Sequence, residues 1–417
     1  MRRTQFYIKT TLILTSCFLS LIVNAQQLDS LIEEALQNNP KIQKFELRYK
    51  IASEKINEVN TIPNTEFGVG FFVSEPETRT GAQRFKVSAK QMLPSFGSIT
   101  ARQNYMSSMA DTKYIDITIA KRKLIVSVSK SYYRLYELKA RQEILNQNIA
   151  LLKTYEIMAL KSVEVEKASV VDVLRLQMRQ NDLEQLRQVL ARYFIAEQTQ
   201  MNKLLNRAKE AEVTTVSNLI LPKEVIEIEG KSIDVHPELM KYDKLFQSVE
   251  QSELLNQKER KPMVGFGLDY IAVSERPNMS FGDNGKDIVM PMISLSIPIL
   301  NKKYNSKTKQ NKLQQEEITF QKQDRQNRLE TLLDKVVNNK IASRISYETQ
   351  VKNLQQAKNA EDILIKSYET GTIDFKDVLD IQELQLRFQM NQIGAVKEYY
   401  IQSTTINYLT NRDAKFN

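Results

Sequence analysis

The sequence predicts a mainly α-helical chain that carries a small β part suited to a membrane β-barrel. Long antiparallel helical hairpins alternate with four strands per chain, and the whole plan is an internal duplication. Three observations carry this reading. Glycine and proline are withheld from two long stretches. Between Ser98 and Glu229 there is no glycine and the only proline is Pro222, and after Pro298 there is no proline and only Gly371 and Gly394. By contrast, 63–97 and 262–298 together hold eight of the eleven glycines and seven of the ten prolines. Finally, KSVEVEKASVVDVLRLQ at 161–177 returns as KSYETGTIDFKDVLDIQ at 366–382.

The N-terminus reads as an export signal over residues 1–25. A basic MRRTQFYIK precedes the apolar TTLILTSCFLSLIV, and Val23-Asn24-Ala25 places a small residue at the cleavage edge. The apolar run is too short for a comfortable membrane span. Leu14-Thr15-Ser16-Cys17 offers a lipoprotein alternative, but Cys17 stands inside the apolar run, so cleavage after Ala25 is the preferred reading. Cleavage removes three basic residues and no acidic one, which lowers the formal charge from +9 to +6 and leaves no cysteine. That suits an oxidising envelope compartment. The remaining Lys and Arg alternate with Glu and Asp along helical segments, the pattern of solvated helix faces rather than of a nucleic-acid surface.

The two halves align along their length. Asn39-Pro40 corresponds to His236-Pro237, each Pro standing where it is pre-organised as a first helical residue, with Asn39 a good cap. Phe67-Gly68-Val69-Gly70 corresponds to Val264-Gly265-Phe266-Gly267, Pro94 to Pro298, and Asp172-Val173-Leu174 to Asp377-Val378-Leu379. The first repeat runs over 26–222, with a β-hairpin at 65–93 and a helical tip near 163–171. The second runs over 231–417, with a β-hairpin at 263–299 and a tip near 368–376. An irregular segment, 207–235, joins them. His236, the only histidine, reads as a structural residue at a helix entrance.

The strands alternate. Phe85, Val87, Ala89 and Leu93 fall on one side of 84–93, while Arg84, Lys86, Ser88, Lys90 and Met92 fall on the other. Ile293, Leu295, Ile297 and Ile299 alternate with Ser294, Ser296 and Pro298. In the first and third strands Phe67, Val69, Phe266 and Leu268 are the apolar set, and Gly68, Gly70, Gly265 and Gly267 replace polar inner residues. Small inward residues would keep a lumen open. Taken alone, the alternation fits a lipid-facing barrel or an ordinary sheet with one wet face equally well. The helices tip the balance. A helix from Ile99 to about Ser162 would span roughly 90 Å at 1.5 Å per residue, longer than a compact core requires. Its apolar stripe, from Ile115 and Ile119 through Leu124, Val128, Tyr132 and Leu135 to Leu145 and Leu152, demands partner helices. Four strands cannot close on themselves, and open edges in lipid leave backbone groups unpaired at several kcal/mol each. Three copies would supply twelve strands, so a homotrimer with a 12-stranded β-barrel in outer-membrane lipid is the smallest convincing closure.

The order of these features, with the duplicated motif, resembles the TolC-type outer-membrane efflux protein family across 26–411. Tyr368-Glu-Thr-Gly371-Thr-Ile-Asp-Phe-Lys-Asp377-Val-Leu379-Asp380 is close to that family's signature at its periplasmic tip. The resemblance implies a trimeric channel-tunnel, with a β-barrel in the cell outer membrane and an α-helical barrel crossing the periplasm. It also implies a periplasmic adaptor and an inner-membrane pump as partners, and export of small molecules or proteins. It would make the duplicated motif the inner end of the tunnel, Asp377 and Asp380 the aperture carboxylates, Tyr368 a gate tyrosine, and Asp172 a residue that helps hold the gate shut. The tip-turn residues Gly371, Thr372, Glu166 and Lys167 would then meet the adaptor, and 207–235 would form an equatorial band.

The residues themselves support part of this. Gly371 permits a tight turn, and Asp377 and Asp380, three apart on a helix, share a face. In a trimer they would form acidic rings that attract cations. The plainer reading is the preference of acids for a helix N-terminus. Glu166 stands where many relatives have Gly, and Ile373 stands where a relative has a gate arginine. An arginine lock is therefore not expected, and closure would rest on helix packing and the acidic rings.

Two other classes are weighed. A non-pore periplasmic coiled-coil adaptor also carries helical hairpins, but usually one, flanked by compact β domains. For an enzyme the sequence offers no Ser/His/Asp set, no cysteine nucleophile, no HExxH, no Walker loop and no Rossmann fingerprint. FGVGFF and VGFGLDY contain G-x-G without a third glycine or a following helix and read as strand. No catalysis, cofactor or metal site is expected.

Overall fold

In the computed structural model the described residues are 27–165, 169–223, 233, 235–299, 301–370 and 372–410. The export signal with Cys17, and the candidate tip residues Glu166, Lys167 and Gly371, lie outside them. In chain order the elements are α1 (27–38), α2 (Pro40–Glu58), β1 (Glu66–Phe71), β2 (Glu77–Thr78), β3 (Gly81–Leu93), α3 (Ser98–Glu164) and α4 (Val170–Leu204). There follow α5 (Pro237–Glu259), β4 (Met263–Val273), β5 (Ile288–Ser296), α6 (Lys303–Glu369) and α7 (Phe375–Leu409).

Helix lengths follow the placement of breakers. Neither α3 nor α6 contains Gly or Pro, and each runs for 67 residues. The helices after the tips, α4 and α7, are 35 residues each. Pro40 and Pro237 open α2 and α5, as their fixed φ favours. Asn39 caps α2 by accepting from the Lys41 N–H at 2.9 Å, and its side-chain amide donates to the Leu204 carbonyl at the end of α4 at 2.8 Å. One buried side chain thus satisfies groups at two helix ends.

The chain forms two compact units, each drawing on both halves of the sequence. The unit of Phe45–Ile117 and Pro237–Arg325 holds the sheet. All its pairings are antiparallel, in the order β1-β3-β4-β5, with the short β2 against the start of β3. The two hairpins are therefore joined through β3 and β4, and β1 and β5 are edges. The register aligns the apolar sets across all four strands. One row is Val69-Val87-Tyr270-Val289 and the next is Phe67-Ala89-Leu268-Pro291. Phe266 and Ile293 pair beyond them, then Val264 and Leu295. This face is exposed: Phe67 is 78% accessible, Ile293 78% and Leu295 60%. Phe85 lies in it between Phe71 and Tyr270, with ring centroids 6.2 and 6.4 Å away. Ile297, expected on a strand, lies one residue past the end of β5.

The opposite face is mixed: Lys86, Ser88, Lys90, Asp269 and Ser294 share it with the glycines and with Met92, Ile271, Ile288, Met290 and Met292. Lys86 pairs there with Asp269, whose carboxylate is fully buried. The glycines on this face do not all leave space. A Cβ on Gly265 would meet Met92 Sδ and Ser294 Oγ at 2.4 Å, so that glycine admits its neighbours' side chains instead of opening a gap. At Gly70 nothing lies within 4 Å.

The other unit, with Thr118–His236 and Gln326 onward, is helical apart from the irregular segment. The α3 stripe is buried here at Leu124, Val128, Tyr132, Leu135, Leu145 and Leu152. Residues 207–223 are held to helices by tyrosines and an arginine. Tyr132 and Tyr136 hydroxyls accept from the Val216 and Leu219 N–H groups at 3.1 and 3.2 Å. Tyr400 Oη donates to the Ile220 carbonyl at 2.7 Å, and Arg344 donates to that of Pro222 at 2.8 Å. His236 is buried with its ring against Tyr408, centroids 5.0 Å apart, a packing position as expected.

Candidate functional site at the helical tips

The duplicated motif lies where α3 passes to α4 and where α6 passes to α7. Ser169 starts α4, its Oγ accepting from the Val171 N–H at 3.1 Å. Asp172 stands in the first turn, where the helix dipole favours an acid, and pairs with Arg175 at 3.3 Å. At the second tip Thr372 closes the end of α6. Its N–H donates to the Ser367 carbonyl at 3.0 Å, the six-to-one bond of a Schellman-type end, and its hydroxyl donates to the same oxygen at 2.8 Å. Asp374 precedes α7 with extended backbone, but its side chain makes no capping bond.

Beneath the tips, four helices share one apolar cluster. α3 contributes Leu145, Leu152, Tyr155 and Ala159, α4 contributes Val173, Leu176, Leu183 and Leu190, α7 contributes Phe375, Val378 and Leu386, and α6 packs Leu364, Ile365 and Tyr368 against them. Ile373 packs against the same cluster, where the resemblance would have put an arginine. Phe375, 2% exposed, meets the rings of Tyr155 and Tyr368 edge-on, with centroids 5.8 and 4.9 Å away.

The sequence-predicted gate residues divide into two kinds. Asp377 and Asp380 are exposed on one side of α7, and among the described residues neither has an ion-pair partner. Asp172 is different, with its side chain 14% exposed and its charge met by Arg175. Tyr368 is half-buried, and its enclosed hydroxyl has no hydrogen-bond partner among the described residues.

Sequence reasoning missed a set of polar residues one to two turns further along. Glu156 of α3 accepts from Gln177 and Gln180 of α4, both at 2.8 Å. Glu361 of α6 accepts from Gln382, and from Gln385 at 2.6 Å, both of α7. Each member is 205 residues from its counterpart. Gln177 and Gln382 are the residues that close the duplicated motif, and a second Gln three positions on shares their helix face. The signal was legible as that recurring glutamine, but its partner glutamate, about twenty residues earlier, belongs to no local pattern.

The two carboxylates differ in surroundings. Gln177 and Gln180 hold the Glu156 carboxyl below its ordinary range. A carboxyl depressed on folding contributes stability that is complete above its unfolded pKa, about 4.3, and is lost as pH falls through the lower folded value. The melting temperature of Glu156→Gln should therefore lie below wild type at pH 7, with the gap closing as the pH is taken below about 4. A gap independent of pH would remove this assignment. At the second clamp Tyr155 Oη donates to Glu361 at 2.8 Å, and Gln382 reaches Tyr155 Oη at 3.3 Å. Burial, and then the Glu361 carboxylate, push the Tyr155 hydroxyl up, so it remains a neutral donor.

No protein-family model and no curated protein matches the chain. Among solved structures, CusC, described in terms of folding and transmembrane channel formation, has a TM-score of 0.75 at 11% identity, covering 92% of each chain. The outer membrane protein VceC from Vibrio cholerae has a TM-score of 0.70 at 15% identity, over 92% of this chain and 96% of its own. The open state of the Neisseria gonorrhoeae MtrE outer membrane channel has a TM-score of 0.72 at 13% identity, over 92% and 88%. Over 92% of its length the chain has the fold of the TolC-type outer-membrane channels.

Proposed function

We propose that this chain is one protomer of a TolC-type channel-tunnel in the outer membrane of a Gram-negative bacterium, with a large periplasmic portion, exporting small molecules or proteins. The observation that carries the reading is the sheet. Its apolar face is exposed across four strands, and its two edge strands each have one neighbour. Outer-membrane lipid would cover the face, and the edges of two further copies would satisfy the backbone. Helix α4 supports the same trimer. Its buried side is Val173, Leu176, Leu183 and Leu190, yet Leu174, Met178, Leu186 and Tyr193 remain 42–59% exposed along the other. Such a second stripe fits a neighbouring protomer's helices. The matched 67- and 35-residue helices and the two clamps 205 residues apart support internal duplication, with repeats over 26–222 and 231–417 and an equatorial segment at 207–235.

In this assembly Asp377 and Asp380 ring the inner aperture, and Tyr368 and Asp172 sit at its margin. The residues Gly371, Thr372, Glu166 and Lys167 meet a periplasmic adaptor that links the tunnel to an inner-membrane pump. The test is single-channel recording from detergent-purified protein of known size in a planar bilayer. The expected result is a trimer with small, long-lived, cation-selective openings. A water-soluble monomer without bilayer activity would overturn the reading in favour of a non-pore adaptor.

A further inference from the structure

The strand-to-helix junctions of the two halves differ in charge. In the second half, 253–262 and 299–312 hold eight Lys and Arg against two acids, Glu253 and Glu259. The matching residues of the first half, 56–65 and 95–108, hold only Arg102 and Glu58. Both junctions join a helix to a hairpin and the hairpin to a long helix, so the fold does not require the excess of positive charge.

Part of that charge lines a cleft. The end of α5 and the first turns of α6 border a space of about 600 Å³, with Asn256, Gln257 and Arg260 on one side and Tyr304, Lys309 and Lys312 on the other. Arg260, Lys309 and Lys312 have no ion-pair partner among the described residues. The two nearby acids are engaged elsewhere. Glu253, in the cleft, accepts from Asn311 at 2.8 Å and from Thr308 at 2.9 Å, and Glu259 accepts from Arg102 at 3.1 Å. Asn256 is buried, and its amide donates to the Tyr304 carbonyl and to Thr308 Oγ1, both at 3.0 Å. Neutral hydrogen bonds thus hold the walls together and leave three cations unanswered. The N-terminus of α6 adds its own partial positive charge. At the same end of the sheet Ile297, Ile299 and Phe96 are exposed, Phe96 almost completely at 97%. Cations beside bare apolar side chains suit an amphiphile with an anionic head better than a free ion.

We propose that this cleft binds the phosphate of an anionic glycerophospholipid, whose acyl chains lie along the exposed apolar face of the sheet. The site rests on the channel reading for its place beside a membrane leaflet. Arg260 supplies a planar fork that can grip two phosphate oxygens, and Lys309 and Lys312, three apart on α6, act as point charges on one helix face. Only the second half carries the site, so each protomer takes one such lipid, which seats the sheet at a fixed depth in the bilayer.

The test uses full-length protein in neutral detergent. The probe is short-chain phosphatidylglycerol, with short-chain phosphatidylcholine and inorganic phosphate as comparisons, read by native mass spectrometry and hydrogen–deuterium exchange. Phosphatidylglycerol should stay bound and slow exchange over 303–312. The triple variant Arg260→Gln, Lys309→Gln, Lys312→Gln should bind it about a hundredfold more weakly. Lys335→Gln, Lys352→Gln, Lys358→Gln, which removes the same charge from exposed positions further along α6, should bind as wild type does. Equal loss in both triple variants, or equal retention of phosphatidylcholine, overturns the site. Inorganic phosphate that displaces the lipid at equal concentration overturns the lipid and leaves a general anion cleft. Should the first triple variant not fold, wild type decides by salt: binding and protection over 303–312 must fall as ionic strength rises, and salt-independent binding overturns the proposal. Lipid held at this cleft by a protein that never conducts would retire the channel reading and leave the site standing, and conduction without lipid binding would do the reverse.

Discussion

A double Asp377→Ala, Asp380→Ala variant will lose at least about tenfold in its block by divalent cations and will conduct more than wild type in a planar bilayer. The expectation comes from unpaired charge. Both side chains are exposed on α7, and neither has an ion-pair partner among the described residues. Three copies would bring six carboxylates to one axis. Like charges brought to about 4 Å would interact by about 4 kcal/mol at an effective dielectric of about 20, and about 1.4 kcal/mol is worth a factor of ten in cation affinity. Asp172→Ala should do much less to the block, because Arg175 already answers its charge at 3.3 Å. Equal block in the double variant and wild type would remove Asp377 and Asp380 from the aperture, returning them to the ordinary preference of acids for a helix start.

The second large effect is on the tip itself. Phe375→Ala is expected to cost about 3–5 kcal/mol in the stability of the α6–α7 tip, the range for a buried aromatic truncated in a packed site. Phe375 is 2% exposed and is the ring against which Tyr155 and Tyr368 both pack. The loss will be local, since the cluster beneath retains Leu145, Leu152, Leu176 and Leu183. Limited proteolysis near 370 and hydrogen exchange over 364–386 should therefore accelerate by orders of magnitude, while the sheet around Val87 and Leu268 is unaffected. A uniform loss of protection across the chain would mean that the tip is not an independent folding element. Phe375→Leu, which keeps most of the volume, should recover more than half of the effect.

The helices and the helix starts were legible because their causes are local. A stretch without Gly or Pro and with a continuous apolar stripe becomes α3, and Asn39-Pro40 starts α2 in the capped form that the pair implies. Strand alternation was legible for the same reason, and the observed register puts Phe67, Val69, Phe85, Val87, Phe266, Leu268 and Leu295 on one face. Ile297 was read as strand because its alternation continues, but the ladder stops at Ser296, two residues before Pro298. Glycine was read too simply. Its small size on the mixed face appeared as open space, whereas at Gly265 two neighbouring side chains take that space.

Sequence alone determined the element types, their order, the two tips and the acidic pair on α7, since each is written in residues within a turn or a strand of one another. Tertiary structure alone decided that β3 pairs with β4, joining hairpins almost two hundred residues apart, and that Asp269 is buried against Lys86. It alone decided that one of two sequence-equivalent clamps is tied to a third helix through Tyr155. Hydrogen-bond partners of this kind are chosen by which helix faces are pressed together. A glutamate and a glutamine distant in sequence carry no local mark of the partner that packing will bring to them.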